Sequence, residues 1–148
     1  MAYYCIKTKH QVKEEGTGKI SNVLLTHILE AVNLVDAETK MTAHMKDESI
    51  DEFDITSCSE YKMNLCVKDY ADDDNKWFSA KICFEFENDK GKIQKTFENH
   101  LVYTSDIKKA CSIIENGFKN TTLNWSIQSI QKTVIGRVDI EKIEEYKQ

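Results

Sequence analysis

The chain has 148 residues, of which 41% are apolar and 30% are charged, and its formal net charge is −5. This composition indicates a globular protein and excludes a disordered chain, and no apolar run is long enough to span a bilayer. The negative charge argues against general nucleic-acid binding, which needs a clustered basic surface. The first ten residues lack the apolar core of a signal peptide, so we expect a cytoplasmic protein.

The first elements of the chain occur twice. The aromatic pair and the lysine within residues 3–7 recur within residues 77–81, an offset of 74 residues. From Phe78 to Phe86 apolar side chains alternate with others, which is the two-residue period of a half-buried strand. A polar segment that contains glycine follows the strand in each copy and predicts a hairpin.

The second strand and the helix after it also recur. Gly18 and His27 align with Gly91 and His100, an offset of 73 residues, so each histidine lies in the second strand of its copy. A residue with a good N-capping side chain then precedes one apolar stripe in each copy. The predicted helices follow the caps Asn33 and Asp106, and their stripes are Leu34, Ala37, Met41 and Met45, and Ile107, Ala110, Ile114 and Phe118.

A third strand closes each copy, because residues 53–61 align with residues 125–133 at an offset of 72. We therefore predict an α+β fold of two tandem strand-strand-helix-strand repeats, residues 3–62 and 77–134. The repeats are expected to be related by pseudo-twofold symmetry, with one layer of mostly antiparallel sheet covered by two helices.

The rest of the chain is assigned to connections within a single domain that spans residues 1–148. The acidic stretch at residues 63–76 is predicted to be a solvated linker, because it lacks the glycine and the distal glutamate of a calcium-binding loop. The tail, residues 138–148, fits a last strand, a short helix or a frayed end.

The sequence contains no motif for catalysis, phosphate binding or metal binding. Its five cysteines form no close pair, so neither a disulfide framework nor a zinc site is indicated. We predict no catalytic residue, no cofactor and no metal, and free thiols that act as small apolar side chains. These thiols belong to Cys5, Cys58, Cys66, Cys83 and Cys111.

The duplicated residues are the candidates for ligand binding. Tyr3 and Trp77 each share a strand face with a lysine four residues on, Lys7 and Lys81, on the side away from the core. An aromatic ring and an ammonium group about 13 Å apart along a strand could receive a base and a phosphate. The alternative is a face covered by a partner subunit, with the lysines at its rim.

Three further residues complete the predicted ligand set. His27 and His100 are equivalent within the repeat, and each is a candidate hydrogen-bonding partner of a ligand, while a structural role in folding its copy is the alternative. Arg137 is the only arginine among the 20 basic residues. Its planar guanidinium group suits a phosphate or a carboxylate better than a lysine does.

The segments "KWFSAKICFEF", "HLVYTSDIKKA" and "IQSIQKTVI" resemble an uncharacterised domain family of Bacteroidetes and of phages that infect them, including crAss-like phages. The resemblance covers nearly the whole chain and implies no established activity. A phage origin would favour an inhibitor of host defence. We therefore predict a homo-oligomeric, non-enzymatic protein that sequesters a small nucleotide-derived host immune signal. The alternatives are a protein–protein interaction or virion-associated module that uses its exposed sheet face, and an enzyme that cleaves cyclic nucleotides.

Overall fold

Each sequence repeat folds as a strand, a strand, a helix and a strand. The computed structural model describes residues 1–70 and 73–146, and divides into two units. Unit 1 comprises Met1–Lys62 and Val134–Glu141, and unit 2 comprises Met63–Thr133 and Lys142–Gln148. In chain order the elements are β1 (Ala2–Lys13), β2 (Ile20–Ala31), α1 (Leu34–Asp47), β3 (Asp54–Glu60), β4 (Leu65–Lys68), β5 (Lys76–Glu87), β6 (Ile93–Thr104), α2 (Ile107–Gly117), β7 (Asn124–Lys132), β8 (Arg137–Asp139) and β9 (Glu144–Glu145).

In the part of the chain that the structure describes, each unit contains one sheet and one helix. The strand order is β3-β1-β2-β8 in unit 1 and β7-β5-β6-β4-β9 in unit 2. The three strands of each repeat pair antiparallel, whereas β8, β4 and β9 pair parallel with their neighbours. The predicted α+β class, with two helices and mostly antiparallel sheets, is confirmed.

The two repeats pair their strands in the same register. Gly18 and Gly91 both adopt positive φ angles, 68° and 76°, in the β1–β2 and β5–β6 hairpins, a conformation that glycine adopts at little cost. A β-bulge follows Lys7 where β1 meets β3, and the equivalent Lys81 where β5 meets β7. A one-residue slip would turn every side chain to the other face, so this agreement fixes which residues of the two repeats are equivalent.

Both helices begin where the sequence predicts. The Asn33 Oδ1 accepts a hydrogen bond from the Asp36 N–H at 2.9 Å, and the Asp106 Oδ1 accepts one from the Lys109 N–H at 2.8 Å. Each cap satisfies one of the backbone donors that the first helical turn leaves free.

Each helix packs its apolar stripe on one face of its own sheet. The predicted stripe residues Leu34 and Ile107 are exceptions, because they occupy the first helical positions and remain about half exposed. The buried core residues of unit 1 include Tyr4, Ile6, Leu29, Ala37, Met41 and Met45, and those of unit 2 include Phe78, Ala80, Ile82, Val102, Ala110, Ile113 and Ile114.

Two short strands that the sequence analysis did not predict complete the sheets. Strand β4 lies inside the predicted linker and places Leu65 opposite His100. Strand β8 lies at the start of the tail and places Arg137 opposite His27. Leu65 and Arg137 are equivalent at the offset of 72 (65 + 72 = 137). Each unit is thus completed by a strand that follows the other repeat, and the strands form two sheets instead of the single layer predicted.

The sheet face away from each helix is less open than the sequence pattern indicates. Trp77 is only 4% exposed, and its ring centroid lies 4.7 Å from that of Tyr103, the residue opposite it in β6. Tyr3, at the equivalent position of unit 1, is half-buried, while Lys7 and Lys81 are exposed. The buried tryptophan therefore presents no open stacking surface.

Candidate ligand-binding site

The two equivalent histidines lie on the helix-facing side of their sheets. His27 pairs with Ile6, and His100 pairs with Ala80, so the pleat turns both imidazoles toward the helix. His27 is 6% exposed and His100 is 3% exposed. Each histidine lines a cavity within its own unit.

The cavity of unit 2 has a volume of about 490 Å³. Its walls come from β4, β6, the C-terminal half of α2 and the segment around β9. The apolar and aromatic residues that line it are Leu65, Val67, Val102, Ile113, Ile114, Phe118 and Tyr146. The polar residues that line it are Asn64, Glu98, His100, Asn116, Glu144 and Glu145. The cavity therefore combines an apolar interior with several hydrogen-bond acceptors.

A histidine–glutamate pair provides the fixed polar contact of this cavity. The His100 Nε2 lies 3.0 Å from the Glu98 Oε1, two residues earlier on the same face of β6. An ionised carboxylate can only accept, so the imidazole donates from Nε2 in this contact. The pair holds the ring in one orientation and leaves the Glu98 side chain about 38% exposed.

Phe118 connects the cavity to an aromatic cluster. This residue is the C-cap of α2, and its ring centroid lies 5.8 Å from that of His100, 4.7 Å from that of Trp125 and 5.5 Å from that of Phe84. Contacts on several sides restrain the ring, so the aromatic wall is largely formed before any ligand enters.

The C-terminal segment of unit 2 supplies the remaining wall. The Tyr146 N–H donates to the Lys68 carbonyl at 3.0 Å, which continues the parallel pairing of β9 with β4. The Tyr146 side chain packs against the unit 2 core. Glu144 and Glu145 precede it, so the same segment brings two carboxylates to the cavity.

The cavity of unit 1 has the same place in its repeat, and its volume is about 190 Å³. The imidazoles of His27 and His44 meet edge to face there, with centroids 5.1 Å apart. Burial, and then the charge of His44, lower the pKa of His27, whereas Asp139 raises it. The buried His27 Nδ1 has no hydrogen-bond partner among the described residues.

Equivalent positions in the two cavities carry side chains of different chemistry. The offsets place Lys40, Met41, His44 and Asp139 of unit 1 where unit 2 has Ile113, Ile114, Gly117 and Val67. A Cβ atom added at Gly117 would meet no atom within 4 Å. The space that the His44 side chain takes in unit 1 is thus open in unit 2, where the charged residues are also replaced by apolar ones.

In each unit, the residues predicted from the sequence to bind a ligand lie on opposite faces of the sheet. In unit 1, Tyr3 and Lys7 lie on the face away from α1, whereas His27 and Arg137 lie on the face toward it. Arg137 is engaged by carboxylates, with its Nε 2.7 Å from Asp139 and its Nη1 3.8 Å from Glu48.

The same division holds in unit 2. Trp77 and Lys81 occupy the opposite sheet face from His100. The Lys81 Nζ instead lies 4.4 Å from the centroid of the exposed Phe97 ring.

The cavity-forming residues Gly117 and Tyr146 were not predicted, because a glycine and a tail residue carry no signal that they border an open space. Glu98 could have been found, since it stands two residues before His100 on a predicted strand.

Among residues 1–70 and 73–146, no group of three or more His, Cys, Asp or Glu side chains could hold a metal ion. In the same part of the chain, no helix has the length and apolar character needed to cross a membrane.

The fold and the site together define an α+β repeat protein with two equivalent cavities, of which one is large enough for a small organic molecule. The family model described as Domain of unknown function (DUF4494) matches residues 2–140, and the chain belongs to this family. This match agrees with the expectation that one family without an established activity covers nearly the whole chain. No curated protein sequence matches the chain.

Proposed function

We propose that this chain is a non-enzymatic binding protein that takes up a compact organic molecule in the cavity of unit 2. The volume of about 490 Å³ falls within the range of roughly 300–1,000 Å³ found for small-molecule sites. Such sites typically combine apolar walls with a few fixed polar groups, and this cavity has both.

The observation that carries the proposal is the divergence of the two equivalent cavities. In unit 1 the His44 side chain occupies part of the equivalent space and leaves about 190 Å³, which the charged Lys40 and Asp139 also line. Unit 2 has Gly117 and apolar side chains at these places. Open apolar space gives a fold less stability than a filled core, because its lining loses dispersion contacts. A ligand with an apolar body would restore those contacts.

The polar lining favours a particular type of ligand. The three carboxylates at the cavity are Glu98, Glu144 and Glu145, and none of its described lining residues is a lysine or an arginine. A protonated amine or another strong hydrogen-bond donor would be attracted there, whereas a phosphate would be repelled. We therefore infer a ligand with an aromatic or aliphatic body and a donor or cationic end.

The lining of this cavity restricts the class of nucleotide-derived ligand that the sequence predicts. A base could stack beside Phe118 and hydrogen-bond to Asn64 or Asn116, all of which line the cavity. The phosphate groups of a nucleotide would have no lysine or arginine to bind among the described lining residues. A nucleoside is thus favoured over a nucleotide, and capture of a nucleoside-type signal would require binding without turnover.

The experiment exploits the natural difference between the two cavities. Gly117→His places in unit 2 the side chain that unit 1 carries at His44, and Gly117→Ala is the matched control, because its Cβ meets open space. Binding would be measured by calorimetry with three probe classes: aromatic amines, nucleosides and nucleoside monophosphates. We expect the amines or nucleosides to bind wild type and Gly117→Ala, and Gly117→His to bind them at least about tenfold more weakly.

The outcomes separate the alternatives. Equal binding of a probe by wild type and by a folded Gly117→His variant would place the site elsewhere. Preference for the monophosphates would contradict the inferred ligand type. Chromatography of the probe after prolonged incubation tests turnover, since recovery of intact probe supports a binding protein and a cleaved product supports an enzyme.

A further inference from the structure

Over half of its length, the outer edge of β2 has no pairing strand among the described residues. In the sheet order β3-β1-β2-β8 of the described residues, β8 pairs with β2 only at His27–Leu29. The Gly136 N–H extends this contact by one residue, to the Thr26 carbonyl at 2.9 Å. Within residues 1–70 and 73–146, no strand therefore pairs with the outer edge of residues 20–25.

The backbone groups on this edge are identified by the bond at Thr26. Both backbone groups of a residue in an antiparallel strand point to the same side, and the side alternates with each residue. Because the Thr26 carbonyl points toward β8, the N–H and C=O groups of Ile20, Asn22 and Leu24 point the same way. The side chains of Ile20 and Leu24 are 61% and 72% exposed.

The sequence of the edge, "ISNVLL", contains no charged residue and no proline. Natural proteins usually protect a free edge with lysine, proline or a bulge, since an unprotected edge pairs with another strand. The repeat supplies a comparison, because the equivalent edge of β6 has Lys95 where β2 has Asn22 (22 + 73 = 95). Like charges directly opposite each other are unfavourable, so Lys95 disfavours self-pairing of the β6 edge, although Glu85, 3.6 Å from its Nζ, offsets part of the repulsion.

We propose that two copies of this chain pair through the β2 edges of their first units, antiparallel and with the twofold axis at Asn22. Asn22 then faces the partner's Asn22, and Ile20 faces the partner's Leu24. Three residue pairs that each exchange two backbone hydrogen bonds form one continuous sheet of both copies. The exposed Ile20 and Leu24 side chains of each copy become neighbours on one face.

A second copy is the partner that these observations favour. Twofold pairing of this edge with itself places the side chains of Ile20, Asn22 and Leu24 of both copies on the same face of the sheet. The assembly is complete with two copies, because the pairing uses the edge of each. An edge without charges also has no charge pattern that would select a different partner. This inference is independent of the proposed ligand, because the edge and the unit 2 cavity share no residue.

The first experiment measures association by sedimentation of wild type and of Leu24→Lys over a wide range of concentration. We expect wild type to form dimers, and we expect the dissociation constant of the Leu24→Lys dimer to be at least about tenfold higher. The reason is that the variant buries a charge beside an apolar side chain twice per dimer. Phe97→Lys, at the equivalent position of β6, is the matched control and should dimerise like wild type. A wild-type chain that stays monomeric at every concentration overturns the proposal.

The second experiment tests the register. In Asn22→Cys the two introduced thiols would face each other across the axis, where the Cα separation of an antiparallel pair allows a disulfide. Oxidation should give a covalent dimer of Asn22→Cys, and not of Lys95→Cys or of wild type with its own five cysteines. A dimer in sedimentation without this cross-link, or with equal cross-linking of Lys95→Cys, would contradict the β2 pairing.

Discussion

Arg137 lies directly opposite His27 across the parallel strands β2 and β8, so the only arginine of the chain stands beside a buried imidazole. Burial lowers the pKa of His27 below its usual value, and the charges of His44 and Arg137 act in the same direction. Asp139 and Glu48 act in the opposite direction without reversing the shift. The folded protein therefore favours the neutral form of His27.

This shift predicts how the stability of the fold depends on pH. In the unfolded chain His27 titrates near pH 6.5, whereas in the folded chain its lowered pKa delays protonation to more acidic pH. The stabilising contribution is thus present above about pH 6.5 and is lost as the pH falls through the lowered pKa of the folded state. Melting temperatures between about pH 5 and 8 should fall less steeply on acidification for His27→Gln than for wild type. Parallel curves for the two proteins would show that His27 is not responsible.

Substitutions of Trp77 test whether this residue stabilises the fold or stacks on a ligand. Its 4% exposure and its contact with Tyr103 predict that Trp77→Ala lowers the free energy of unfolding by about 3–5 kcal/mol. Trp77→Phe should lose much less, because most of the apolar contact remains. Urea titrations of the two variants test this expectation. A Trp77→Ala variant as stable as wild type, with weaker ligand binding, would instead favour the stacking surface predicted from the sequence.

The helix caps give a prediction for each repeat. Asn33→Ala removes the side-chain acceptor of the Asp36 N–H, and Asp106→Ala removes that of the Lys109 N–H. Each change should cost about 1 kcal/mol of stability in denaturant unfolding. Asn33→Asp and Asp106→Asn preserve an acceptor and serve as controls. If the alanine variants match these controls, the caps contribute nothing measurable.

Cys66 should react poorly with alkylating reagents in the native protein. The residue is 2% exposed, and burial raises the pKa of its thiol to about 12, although the charge of Lys68 lowers it in part. The thiolate is the reactive form, so native protein at about pH 8 should leave Cys66 unmodified, as peptide mass spectrometry would show. Labelling in urea should modify all five cysteines. Rapid labelling of Cys66 in the native protein would contradict its buried position in β4.

The sequence predicted the features that depend on neighbouring residues. The caps at Asn33 and Asp106, the hairpins and the helical stripes follow from local spacing, and the repeat doubles each of these signals. The short strand Leu65–Lys68 instead falls within the segment that the sequence predicts to be a linker. Its parallel pairing with β6 is made with residues distant in the chain, and four residues among acidic neighbours carry too little periodicity to reveal it.

The candidate site was predictable only in part. His27 and His100 were identified because they recur, and the structure places each of them in a cavity. The burial of Trp77 was not predicted, since an alternating pattern shows which face a side chain occupies but not what covers that face. The open space beside Gly117 arises from the absence of a side chain, together with the position of Tyr146. Such a space depends on the packed structure and leaves no pattern in the sequence.

The reciprocal exchange of β4 and β8 also determines the order in which the units can be completed during synthesis. The ribosome delivers β1, β2, α1 and β3 first, but the neighbour of β2 at His27–Leu29 is β8, whose residues 137–139 emerge only after the whole second repeat. Unit 2, in contrast, already has β4 before β5 is made, and its five-stranded sheet lacks only the two residues of β9 when β7 is finished. Domains usually fold from the N-terminus onward as the chain is made. In this protein the unit that is translated first acquires its fourth strand only after the whole second repeat has been made.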